Sequence, residues 1–256
     1  SKLYSNLFIP GLKTRLTQEE ILGTLEQIRQ TIILQHNGLF LHMVNSLINK
    51  IEIFGLHFAS LDIRQESSVH GKLLAELSNK NVLPAQYAGL PDEEKIKILS
   101  ALDQSIDPEI LDNEIHRDTI RSMACVKTIQ QYNGPEGCNR YVISQCNSAL
   151  NAMEVYGLFL LSGWKASELN IDIVPLFETI SDLHNAAIVM RTLYNHPVYR
   201  AHLQRRNDRQ TIMLGFSDGT KDGGYLMANW GIYKAKEQLT AISREYGIDV
   251  IFFDGR

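Results

Sequence analysis

The chain has 256 residues, of which 44% are hydrophobic and 21% are charged, and its formal net charge is -4. This balance excludes the basic footprint of a nucleic-acid-binding protein, and no apolar run approaches the roughly 18 residues of a membrane span. The first residues lack the apolar core of a signal peptide, and none of the three cysteines forms a C-x-x-C pair. We therefore expect a cytoplasmic protein with free thiols and no nucleic-acid or membrane partner. Because it begins with Ser rather than Met, we also expect it to be cut from something longer.

Strand and helix patterns alternate along most of the chain. A capping box at Thr17 and Glu20 begins a helical pattern that runs from 17 to 47. Five runs rich in β-branched and aromatic residues are predicted strands, at 51–63, 141–144, 171–177, 211–214 and 248–253. Helical patterns follow three of these runs, at 148–162, 180–194 and 222–246. The alternation predicts an α/β fold with βαβ units and a parallel sheet.

Residues 71–133 interrupt this alternation, because they contain no clear strand pattern. Pro84, Pro91 and Pro108 mark breaks within the segment. We predict a helical insertion there.

The glycine-rich turn after the fourth predicted strand fits two known motifs only partly. Gly215 to Gly219 matches the G-x-S-x-G elbow of hydrolases, but the last histidine, His202, precedes Ser217, whereas the base of an α/β hydrolase follows its serine. A phosphate loop needs four residues between its glycines and then Gly-Lys-Ser/Thr, and this turn has three residues there. Neither chemistry is therefore predicted.

Polar side chains collect where the predicted strands end, and they include Arg64, Glu178, Asp218, Lys221, Asp254 and Arg256. In parallel α/β folds these ends lie on one face, where active sites form. Carboxylates and cations together suit an anionic substrate and a hard cation such as Mg²⁺.

Each of these residues also has an ordinary structural interpretation, and the residues alone leave both open. Glu178 suits the first turn of a helix and Asp218 suits a turn. Lys221 can be a solvated side chain, although a cation is disfavoured near a helix start. Arg64 can form an ion pair with its neighbours in sequence, and Arg256 can be an exposed terminus.

Five segments, in this order, resemble phosphoenolpyruvate carboxylases. They are LDIRQESSVH (61–70), RYVISQCNSALNAMEV (140–155), VPLFETISDLHNAAIVM (174–190), GFSDGTKDGGYLMANWGIYKAKEQL (215–239) and FFDGR (252–256). The resemblance implies a long, cytoplasmic, homotetrameric parent enzyme that converts phosphoenolpyruvate and bicarbonate to oxaloacetate and phosphate with Mg²⁺ or Mn²⁺. It also implies that residues 1–256 are the central fragment of one β/α (TIM-like) barrel domain, with about five of its eight strands and no separate second domain.

The resemblance further implies the roles of the strand-end residues. Glu178 and Asp218 would bind the metal, and Lys221 would lie beside bicarbonate or the substrate carboxylate. Arg64 and Arg256 would hold the phosphoryl group. Asp254 stands where the family usually has an active-site histidine, so we expect a different use of this residue or a base elsewhere.

Two further positions depart from the family's pattern. Ser60 replaces an arginine, so Arg64 alone carries that assignment, and Asn151 replaces a common aspartate. A second histidine segment and later phosphate-binding arginines have no counterpart in the sequence. We expect this chain alone to be catalytically inactive.

Two other functions remain open at this level. One is a different metal-dependent β/α-barrel enzyme acting on phosphorylated or carboxylated substrates. The other is a non-catalytic helical interaction module with a decayed site.

Overall fold

The computed structural model describes residues 2–9 and 16–255, and these form two compact units. The helical unit comprises Ser1–Leu61 with Thr128–Cys138, and the sheet unit comprises Asp62–Lys127 with Asn139–Arg256. Within the described residues no helix combines the length and the hydropathy that crossing a membrane requires.

The helical unit contains α1 (Lys2–Phe8), α2 (Gln18–Gln35) and α3 (Leu41–Phe54). The predicted capping box is confirmed, because Thr17 and Glu20 bond each other's backbone N–H groups at the start of α2. The prediction of one continuous helix over 17–47 is wrong, and so is the prediction of a strand that begins at residue 51. The chain turns between α2 and α3, where Phe40 has a left-handed backbone (φ 61°), and then stays helical to residue 54. Helical spacing of apolar residues overrides the β propensity of the isoleucines there.

The sheet unit is built on five parallel strands that lie in chain order. They are β1 (Asp62–Glu66), β2 (Arg140–Ser144), β3 (Asp172–Phe177), β4 (Arg209–Gly215) and β5 (Asp249–Gly255). The last four confirm predicted strands, whereas β1 covers only the end of the first predicted run. The α/β class and the parallel sheet are confirmed, and closure into a barrel stays a prediction.

Helices connect these strands. They are α4 (Ser67–Asn79), α5 (Asp92–Ser100), α6 (Glu114–Asn133), α7 (Ala149–Leu161), α8 (Ile180–Asn195), α9 (Pro197–Arg205) and α10 (Ser217–Glu245). Helix α6 ends in the segment assigned to the helical unit. The predicted helices after β2, β3 and β4 are confirmed. Helix α10 begins five residues earlier than predicted and is interrupted at Gly224, which has φ 80°. Residues 71–133 contain no strand, as predicted.

The strand pleat separates an inner face from a face covered by helices. Val142, Val174, Leu176 and Met213 form one buried apolar cluster, which defines the inner face. Residues two apart on a strand share a face. The inner face therefore continues toward the C-terminal edge with Ser144 on β2 and with Glu178, which directly follows β3. That edge carries the candidate site.

Candidate functional site at the C-terminal edge of the sheet

Glu178 directly follows β3 and is only 7% exposed. Its Oε1 accepts a hydrogen bond from Arg64 Nη2 at 2.9 Å, and its Oε2 accepts one from the backbone N–H of Gln145 at 3.0 Å. A buried carboxylate needs such partners, because burial without them costs several kcal/mol. These two hydrogen bonds fix both carboxylate oxygens of Glu178.

Arg64 reaches Glu178 from β1, two strands away. It pairs in register with Val142, and its Nε donates to Ser144 Oγ at 2.7 Å. Among the described residues, Arg64 forms its ion pair with Glu178 rather than with its neighbours in sequence: Asp62 pairs with Arg140, and Glu66 accepts a hydrogen bond from Ser68 Oγ. The side chain of Arg64 is 50% exposed, so part of the guanidinium faces solvent beside a buried acid. The network thus joins the middle of β1 to the ends of β2 and β3. It brings Arg64 and Glu178 together, although the sequence placed Arg64 after its strand rather than within it.

The glycine-rich turn after β4 packs directly against the Glu178 segment. A Cβ atom on Gly215 would lie 3.1 Å from the Cα of Glu178, and one on Gly219 would lie 3.3 Å from its carbonyl oxygen. Real Cβ contacts are rarely so short, so these glycines allow the first turn of α10 to approach β3 closely. The glycine pattern is explained by this packing rather than by either motif that the sequence partly matches.

Asp218 and Lys221 lie in that first turn of α10. Lys221 Nζ is 2.8 Å from Asp218 Oδ1, and the side chains are 75% and 50% exposed, respectively. The hydrogen bond to Asp218, helped by its charge, raises the pKa of Lys221 above its usual value. The aspartate thus accounts for a cation at a helix start, where the helix dipole disfavours one.

Asp254 lies on the other face of the sheet. It pairs in register with Leu214, whereas its neighbour Phe253 pairs with Met213 of the inner cluster. Its Oδ1 is 2.7 Å from Lys236 Nζ on α10. The structure therefore does not bring the Asp254 side chain to Glu178, and Arg256 lies outside the described residues.

The sequence assigns no role to two residues that contribute to this region, Lys236 and Gln145, although Gln145 is among the polar residues that follow the second predicted strand. Lys236 carries no motif, and only the packing of α10 on β5 brings it to Asp254. Gln145 contributes its backbone N–H, so its side-chain type gives no signal. A polar residue directly after a predicted strand was the one available hint.

The residues of this edge fit a hard divalent cation by donor type. In residues 2–9 and 16–255, no three His, Cys, Asp or Glu side chains form a potential metal cluster. Mg²⁺ usually needs only one or two carboxylates, with waters and substrate oxygens as its other ligands. Each oxygen of Glu178 has one of the partners described above, which leaves acceptor capacity on both. Asp218 follows the next strand and is accessible.

The fold and this edge together define an α/β protein with a parallel sheet and a cluster of carboxylates and cations at its strand ends. The family model of phosphoenolpyruvate carboxylase matches residues 10–256. The chain belongs to the phosphoenolpyruvate carboxylase family.

The chain is similar to curated proteins that are named phosphoenolpyruvate carboxylase. Phosphoenolpyruvate carboxylases from Gloeobacter violaceus and Mycobacterium avium are each 33% identical to the chain, over 245 and 262 residues. The alignments cover 93% and 96% of this chain, but 26% and 27% of the two relatives. The enzyme from Trichormus variabilis is also 33% identical, over 271 residues. The chain thus spans about a quarter of the length of these relatives.

Proposed function

We propose that the chain is part of an enzyme that converts phosphoenolpyruvate and bicarbonate to oxaloacetate and phosphate. The observation that carries this proposal is the network in which Arg64 and Gln145 fix the buried carboxylate of Glu178 at the C-terminal edge of the sheet. A fixed carboxylate beside a half-exposed guanidinium suits a substrate that carries a phosphoryl group and binds with a metal ion.

Glu178 and Asp218 are the proposed ligands of Mg²⁺ or Mn²⁺. When bound, the ion would act as a Lewis acid and stabilise negative charge on the enol oxygen of the substrate. Glu178 is suited to this task because its network fixes its orientation in advance. Asp218 can turn from Lys221 to the metal, because their exposed ion pair is weak.

The cationic side chains have separate proposed roles. Arg64 and Arg256 would hold the phosphoryl group, and Lys221 would lie beside bicarbonate or the substrate carboxylate. A bicarbonate oxygen attacks phosphorus while the bond from phosphorus to the enol oxygen breaks, which gives carboxyphosphate and an enolate. Carboxyphosphate then releases carbon dioxide and phosphate, and the enolate carbon captures the carbon dioxide. The catalytic role of Asp254 stays a prediction, and its pairing with Lys236 favours a structural contribution.

We further propose that β1 to β5 are consecutive strands of a β/α barrel, in a cytoplasmic homotetrameric parent enzyme. The parallel order of the strands and the helices between them support the barrel. The alternative of a decayed interaction module is disfavoured by the intact bonding around Glu178.

A titration of the 256-residue chain with Mn²⁺, followed by electron paramagnetic resonance, tests the metal assignment. We expect one bound ion per chain, and loss of binding in both Glu178→Ala and Asp218→Ala. Asp118→Ala is the matched control, since Asp118 also forms an exposed i,i+3 ion pair, with Arg121. Binding that neither site variant changes would contradict the assignment.

A bicarbonate-dependent assay of oxaloacetate formation tests the expectation that this chain alone is inactive. Turnover by the purified chain would overturn that expectation while supporting the proposed reaction. Loss of this turnover in Glu178→Ala would attribute it to the site.

A further inference from the structure

Gln145 has an unusual backbone conformation at the point where β2 meets the site. Its φ is 53°, in the left-handed region, which side chains with a Cβ atom adopt only at a cost in free energy. The residue is exposed and directly follows Ser144, the last residue of β2. Non-glycine residues persist in this conformation when their surroundings hold them there.

Both polar groups of the Gln145 backbone are bonded. Its N–H donates to Glu178 Oε2 at 3.0 Å, and its carbonyl oxygen accepts from Ser67 Oγ at 2.9 Å. Ser67 is the first residue of α4, directly after β1. The left-handed turn therefore has a donor directed at the buried carboxylate and an anchor on the neighbouring strand connection.

The two bonds to Glu178 differ in rigidity. Arg64 reaches Oε1 through a long side chain that is 50% exposed, whereas Gln145 reaches Oε2 through the backbone at a strand end. A long side chain loses rotamer freedom when it is held in one place, but a backbone group at a strand end is already ordered. The backbone donor is thus the better fixed of the two.

We propose that Gln145 is a positioning residue that orients the Glu178 carboxylate through its left-handed backbone, with Ser67 holding the Gln145 carbonyl. The orientation would leave the remaining acceptor positions of Glu178 for a divalent cation, a step that rests on the proposed function. The positioning itself is a property of the chain without metal.

Substitutions that change only the backbone preference of residue 145 test this proposal. Gln145→Gly accepts a left-handed backbone without strain, whereas Gln145→Val strongly disfavours it, because valine is β-branched. Asn81 has φ 59° in the loop after α4, so Asn81→Val and Asn81→Gly are matched controls for the general cost of the conformation. Ser67→Ala removes the anchor and keeps residue 145 unchanged.

The first measurement is urea unfolding of Gln145→Val, alone and combined with Glu178→Ala. If Gln145 positions Glu178, valine lowers the folding equilibrium constant by about tenfold in the wild-type background. In the Glu178→Ala background, the same substitution should lower it by only about threefold. Equal cost in both backgrounds would overturn the proposal. If the valine variant does not fold, the same cycle with Ser67→Ala decides, and absence of coupling there also overturns it.

The second measurement is the Mn²⁺ dissociation constant of each variant. We expect Gln145→Val to raise it by about tenfold or more, in line with other residues that orient metal ligands. The dissociation constant of Gln145→Gly should stay within about threefold of the wild-type value. Neither Asn81 variant should change the dissociation constant. Equal weakening by glycine and valine would overturn the proposal. If the wild-type chain binds no Mn²⁺, the proposed metal site fails in this chain, and the unfolding cycle still decides whether Gln145 positions Glu178.

Discussion

Glu178 and Asp218 follow adjacent strands of one sheet, but the structure holds them differently. Glu178 is 7% exposed, and each of its oxygens has a partner that comes from another strand. Its backbone N–H also donates to Asp182, which caps α8. Asp218 lies in an exposed turn, and its ion pair is with Lys221, three residues later.

The difference suggests that Glu178 is held rigidly by the fold, whereas the side chain of Asp218 is free to change its partner. Removal of Glu178 leaves the Gln145 N–H and one N–H group of Arg64 without their acceptor, so it affects both stability and binding. Removal of Asp218 breaks only an exposed pair, which contributes little to stability. The two acids should therefore have similar importance for metal binding and very different importance for folding.

The largest expected loss of stability comes from the substitution of Glu178. Glu178→Ala should lower the free energy of unfolding by about 3 kcal/mol, because it removes the acceptor of the Gln145 N–H and of Arg64 Nη2 and leaves a cavity at a buried position. Urea unfolding followed by circular dichroism measures this. Asp218→Ala, measured in parallel, should have no resolvable effect. Similar costs for the two variants would remove the contrast between them.

Glu154 extends the comparison to a buried acid that, among the residues the structure describes, forms no ion pair with a cation. It is 6% exposed on α7, its Oε2 accepts from Asn151 at 3.3 Å, and burial raises its pKa to about 7. Asp92 adds to this rise, while the bond from Asn151 and the charge of Lys95 oppose it.

The sign of the resulting pH dependence follows from this pKa. Glu154 loses its proton near pH 4.5 in the unfolded chain and near pH 7 in the folded chain, so its contribution to stability falls as pH rises through that window. Glu154→Gln cannot titrate. Relative to wild type it should gain about 2 kcal/mol between pH 5 and pH 8, measured by urea unfolding at both values. An identical pH dependence for both proteins would show that Glu154 is ionised in the folded state at neutral pH.

The close contact between the glycine turn and Glu178 predicts a smaller effect. Gly215→Ala places a Cβ atom 3.1 Å from the Cα of Glu178, so β3 and β4 must shift apart slightly. We expect a cost of about 1–2 kcal/mol and weaker Mn²⁺ binding, because the turn that carries Asp218 moves with it. Gly89→Ala is the control, since its added Cβ would meet no atom within 4 Å. Unchanged stability and binding in Gly215→Ala would show that the turn adapts without moving the site.

The sequence predicted β2 to β5 well because each is a short apolar run bounded by turn residues. It failed at β1, since the strand itself is the polar stretch Asp62–Glu66, while the β-branched residues before it continue α3. Arg64 and Glu178 became candidates because each follows a predicted strand, although Arg64 lies within β1. Their mutual bond and the role of Gln145 could not be found, because these depend on strand register and on a backbone N–H.

The smallest expected effect concerns the ion pair between Asp254 and Lys236. Their side chains are 45% and 34% exposed, so solvent screens most of the attraction. A double-mutant cycle of Asp254→Ala and Lys236→Ala should give a coupling of about 0.5 kcal/mol or less in urea unfolding, and it should shrink further in high salt. Asp254 and Met213 lie on different faces of the sheet. Neither variant should therefore change Mn²⁺ affinity. A loss of affinity in Asp254→Ala alone would instead place its carboxylate in the site and contradict the separation of the two faces.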